Sequence, residues 1–109
     1  MSITSLQSRM KDTIKVKYIT GASNSGSFTY GSQVTITKCR IENGFFEAIN
    51  SKGQEIKSKT EIVTFERAIP EGTLLTEING SALTKPKKFK ADSEVPALRY
   101  NATLYTGWL

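Results

Sequence analysis

The chain has 109 residues, is 38% apolar, and carries a net charge of +5 with no histidine and one cysteine. This length favours a single domain with one modest core. The missing histidine removes the usual general base, the usual catalytic triad and most zinc sites, and the lone Cys39 excludes an intrachain disulfide.

Along residues 1–12, Ile3, Leu6 and Met10 stand three and four apart, which places them on one face of a short helix or, without a partner surface, in a mobile arm. Met1–Leu6 lacks the apolar stretch of a signal peptide, so a cytoplasmic protein is the expectation. From Thr13 the period changes to two. Ile14, Val16 and Tyr18 alternate with Lys15 and Lys17, as in a strand with one wet face. The run Gly21–Ser27 is too rich in Gly and Ser for a regular element, so a long flexible loop is predicted over residues 20–32, re-anchored by Phe28 and Tyr30.

A second strand is predicted over Gln33–Glu42. Its apolar set changes from Val34 and Ile36 to Cys39 and Ile41, a change of register near Lys38 that a β-bulge would produce. Asn43-Gly44 signals a turn, Phe45–Ile49 is a short apolar segment that could be a strand, and Asn50–Gly53 signals another turn. Glu55–Arg67 is a third strand, β-branched or aromatic at its centre. Pro70-Glu71-Gly72 ends it. Thr73–Ile78 and Ser81–Thr84 flank Asn79-Gly80, the strongest hairpin signal in the chain. Lys85–Ala91 is basic and contains Pro86, Asp92–Pro96 is predicted as a loop, and Leu98, Tyr100, Ala102 and Leu104 alternate in a last strand.

Short strands at close spacing predict a mainly β domain over residues 1–109. The expected form is a small antiparallel β-barrel or sandwich of SH3-like or OB-like kind, with the loop and a short N-terminal helix or arm projecting from it. The residues provide no catalytic set. Lys38 and Arg40 would point away from Cys39 on a strand, so a buried structural thiol is expected. Glu61 and Glu66 fall on opposite faces of a strand, and Glu55 lies too far from Glu61 to act as a pair. No phosphate-binding glycine loop, dinucleotide fingerprint or calcium loop occurs. The expectation is a protein that is not an enzyme and needs no cofactor or metal. Lys85, Lys87, Lys88 and Lys90 surround Phe89. They read either as phosphate contacts with Phe89 stacking a base, or as an edge strand that lysines and Pro86 protect from unwanted pairing.

Tyr30-Gly31 with Val34–Glu42, and later Asn50–Val63, resembles the small head–tail connector proteins of tailed bacteriophages. In that family an opening strand is followed by a loop and a strand ending in an Arg-x-Glu-like segment. A Gly-x-Glu-x-x-Ser strand comes next, then a turn like Ile69-Pro70-Glu71-Gly72. The family often has Asp after that glycine, where this chain has Thr73. The likeness covers roughly residues 13–75, with a looser match over 98–105.

The resemblance implies a head-completion, stopper or minor capsid protein without catalytic residues. Several copies would form a ring under the portal or adaptor, closing the DNA channel and docking the tail; a tail-completion protein is a related reading. Its partners would be the connector proteins on either side, with a monomer in dilute solution and a ring on assembly. It would reside in the host cytoplasm and then in the virion, with no membrane contact. Under this reading Gly21, Asn24, Gly26, Phe28 and Tyr30 are candidates for an assembly or plug loop, and Lys85, Lys87, Lys88 and Lys90 for non-specific DNA contact. A sequence-independent nucleic-acid-binding barrel is the alternative.

Overall fold

The computed structural model describes residues 10–23 and 25–109. The strands are β1 (Asp12–Lys17), β2 (Ile19–Ala22), β3 (Phe28–Tyr30), β4 (Val34–Ile49), β5 (Glu55–Thr64), β6 (Leu74–Ile78), β7 (Ser81–Lys88), β8 (Ala91–Ala97) and β9 (Ala102–Trp108). Seven of them form one antiparallel sheet in the order β7-β6-β1-β4-β5-β9-β8, and β2 and β3 form a separate hairpin. The fold is therefore mainly β, as the alternating pattern predicts.

The two edge strands, β7 and β8, are separated in sequence only by Phe89 and Lys90. Phe89 N–H donates to the Thr73 carbonyl (3.0 Å) and its own carbonyl accepts from Gly72 N–H (2.9 Å), on the β6 side. Lys90 N–H donates to the Trp108 carbonyl at the end of β9 (2.7 Å). The chain thus passes from one edge of the sheet to the other, which curls the sheet into a small barrel. β4 bends in the same way: Val34–Cys39 pairs with β1, whereas Arg40–Ile49 pairs with β5.

The core is made by the period-two residues. Ile14, Val16, Ile36, Cys39, Ile62, Ile69, Leu75 and Phe89 pack together, each at most 2% exposed. Ile36 and Cys39 are three apart and could not both face inward on a regular strand. The predicted bulge near Lys38 resolves this: Asp12 pairs with Cys39 but Ile14 pairs with Ile36, and Lys38 takes φ 54°. Glu66 holds the bulge by accepting from Thr37 N–H (3.2 Å) and Thr37 Oγ1 (2.9 Å). Asp12 ties three elements together, its carboxylate accepting from Ile41 N–H (2.9 Å) and from Asn79 Nδ2 (3.1 Å) in the β6–β7 turn. That turn is the predicted Asn79-Gly80 hairpin, with φ of 48° and 84° as a type I′ turn requires.

Several predicted boundaries are corrected. Asn43-Gly44 is a bulge within the 16-residue β4, where three steps from Asn43 to Phe46 oppose two from Thr60 to Ser58. The reversal comes at Asn50–Gly53, where Asn50 Oδ1 accepts from Lys52 and Gln54 N–H (3.0 and 2.9 Å) and Gly53 takes φ 77°. Residues 92–96 are strand, and Leu98–Tyr100 is a turn of 3-10 helix that reverses at Asn101 (φ 50°). The strand predicted to reach Arg67 stops at Thr64. The loop over 20–32 is largely the β2–β3 hairpin, Ile19 opposite Tyr30 and Ala22 opposite Phe28, with Ser23 and Ser25–Ser27 near its tip. The predicted helix or arm over 1–12 lies mostly outside the described residues. Of its last three, Met10 is buried and Asp12 already belongs to β1.

Candidate functional site

β7 is an edge strand with a bulge. Leu75 pairs with Lys87 and Glu77 with Ala82, so four residues, Leu83–Pro86, oppose Thr76 alone. Pro86, which has no N–H to donate, lies in this unpaired stretch. Lys85, Lys87 and Lys88 are exposed along the strand, and Lys90 is exposed at the crossover.

Phe89 is only 1% exposed and lies in the core. The proposed base-stacking role of Phe89 is therefore overturned. Period-two geometry gives the reason: with Lys88 and Lys90 outward, Phe89 must point inward. Its ring fills the space beside Gly107, where an added Cβ would lie 2.7 Å from Phe89 Cδ1 and 2.9 Å from Ile69 Cγ2.

Three of the four predicted lysines line a groove of about 1000 Å³. Lys87, Lys88 and Lys90 line it together with Lys57 and Lys59 of β5, while Lys85 does not. Phe45 and Phe46 of β4, Ser58 and Thr60 of β5, and Leu109 also line the groove, and Glu47 is its one acidic side chain. Phe45 is 94% exposed, because the bulge sets Gly44 and Phe45 opposite Lys59 without a one-to-one partner. Lys90 Nζ approaches the Lys57 carbonyl at 3.5 Å. Among the described residues the ion pairs are Lys15–Glu77 (3.2 Å) and Arg40–Glu42, so none of the five groove lysines is neutralised by one. A second cleft of about 440 Å³, lined by Ile78, Leu83 and Asn79 among others, shares Thr60, Lys87 and Leu109 with the lining of the groove.

The candidate loop residues are dispersed. Gly21 is paired with Thr29 in the hairpin, and Gly26 takes φ 83° at its exposed tip. Tyr30 points back to the barrel, its hydroxyl donating to the Gly72 carbonyl (3.0 Å). Phe28 is 44% exposed, and Lys88 Nζ lies 5.5 Å from its ring centroid. Asn24 lies outside the described residues. Beyond Phe28 and Phe45, the exposed large apolar side chains among the described residues are Ile49 (67%), Val95 (52%) and Leu98 (88%).

Cys39 is fully buried, and burial pushes its thiol up to about 12, well away from a reactive thiolate. No group of three or more potential metal ligands occurs among the described residues. Lys57, Lys59 and Phe45 were not singled out as site residues from the sequence. The signal for Lys57 and Lys59 was their alternation on β5, but their sharing a groove with lysines of β7 depends on closure of the barrel. No family model, curated protein or solved structure matches the chain.

Proposed function

We propose that this chain is a non-enzymatic assembly protein, a head–tail connector subunit of a tailed phage that forms a ring under the portal or adaptor and docks the tail. The observation that supports this reading is the apolar surface left on ordered backbone. Ile49 on β4, with Val95 and Leu98 on β8 and the turn after it, are each more than half exposed. Apolar side chains of this size left to solvent are candidates for contact with a neighbouring copy, which would remove them from water. Repeated copies would cover them through head-to-tail contacts that close by rotation. The resemblance of residues 13–75 to the connector family is the support for a ring of that kind.

The test is quantitative mass spectrometry of purified particles of the parent phage, joined to cryo-electron microscopy of their necks. The expected result is several copies per particle, with density for this barrel below the portal. Particles that lack the chain would overturn the proposal. Leu98→Asp is expected to leave the isolated barrel folded, since Leu98 is 88% exposed, and to abolish incorporation into particles.

A further inference from the structure

The lysine-lined groove raises a question separate from assembly, because its composition suits one class of ligand. Five lysines and one acidic side chain, Glu47, line it, and none of the five lysines is held in an ion pair among the described residues. A concentration of unpaired cations with no dedicated carboxylate partner favours a polyanion. Charge alone would not separate nucleic acid from any other polyanion, but the groove also carries apolar faces. Phe45, 94% exposed opposite Lys59, presents a ring to solvent, and Phe46 and Leu109 add to the lining. A duplex keeps its base faces stacked inside, whereas an unpaired strand offers them to an aromatic ring while its phosphates run along the cations. The groove of about 1000 Å³ also shares Thr60, Lys87 and Leu109 with the lining of the second cleft.

We propose that the groove between β5 and the β7–β8 crossover binds single-stranded nucleic acid without reading its sequence, with Lys57, Lys59, Lys87, Lys88 and Lys90 on the phosphates and Phe45 stacking a base. This assignment does not depend on the connector proposal. The stacking residue is Phe45 rather than Phe89, and two of the five lysines come from β5.

Fluorescence anisotropy of the whole chain with labelled oligothymidylate, the matching duplex and heparin tests it. The expected result is tighter binding to the single strand than to the duplex. The logarithm of affinity should fall with the logarithm of salt with a slope of about −3, as four to five neutralised phosphates require. The double substitution Lys87→Ala/Lys88→Ala should make that slope shallower by about 1.4. Phe45→Ala should weaken oligothymidylate binding about tenfold and leave heparin binding unchanged. All three side chains are exposed, and circular dichroism will confirm that the variants fold. Absence of binding at low salt, equal affinity for the duplex, an inert Phe45→Ala, or an equal loss from Lys11→Ala/Lys52→Ala outside the groove would each overturn the proposal.

Discussion

The crossover at Phe89 makes a sharp quantitative prediction, because the same residue could have been a surface stacking group. Phe89 is 1% exposed, and its ring occupies the space that a side chain at position 107 would need. Phe89→Ala removes a fully buried ring and leaves a cavity beside Ile69, a change that costs about 3–5 kcal/mol. A domain of this size has a total stability of about 5–15 kcal/mol, so the variant should be marginal, with a Tm lowered by 10 °C or more. Gly107→Ala introduces a Cβ 2.7 Å from the ring and should cost about 1–3 kcal/mol by overpacking. Combining the two should be less damaging than the sum, because Phe89→Ala vacates the space into which the new methyl projects. Urea unfolding of the wild type, both single variants and the double variant measures this coupling. A Phe89→Ala variant that loses less than about 1 kcal/mol, or strict additivity in the cycle, would refute the packing argument.

Other predictions concern burial and the polar ties. Burial raises the Cys39 thiol to about 12 from an ordinary value of 9.0, so between these pH values the folded state holds more protons than the unfolded chain. Stability should therefore fall as pH rises through that window, approaching about 1.4 kcal/mol per pH unit from this group, and Cys39→Ala should flatten the dependence in urea titrations. Tyr18, also raised chiefly by burial, contributes with the same sign, so a residual slope should persist in the Cys39→Ala variant. Cys39 should also react with an alkylating reagent only as fast as the barrel opens, a rate that urea will increase. Asp12→Ala removes the acceptor for Ile41 N–H and Asn79 Nδ2 and should cost about 2 kcal/mol in the same unfolding assay.

Much of the barrel was legible because its strands carry their own pattern. The alternation at Ile14 and Val16 named two core residues, and the inconsistent spacing of Ile36 and Cys39 located the bulge at Lys38. What failed was reasoning from composition. Ala91–Ala97 has few good strand formers, yet it pairs residue by residue with β9, and Pro96 is accommodated because β8 is an edge. Residues 20–32 looked like a loop, but cross-strand pairing and the Tyr30–Gly72 hydrogen bond order its flanks. Asn43-Gly44 carried a turn signal that lost to continued pairing of Phe46 and Ala48 with β5.

The amino-acid order alone determined the mainly β character, the Asn79-Gly80 hairpin, the absence of histidine chemistry and the run of lysines at 85–90, since each depends only on near neighbours along the chain. The tertiary structure alone decided which lysines act together. Closing the sheet at Phe89 and Lys90 brought lysines of β7 and β5 to one groove, sent Phe89 into the core, excluded Lys85 from the groove and left Phe45 as the exposed ring beside it. The physical reason is that a strand's period specifies which side chains share a face but says nothing about which distant strand that face will meet.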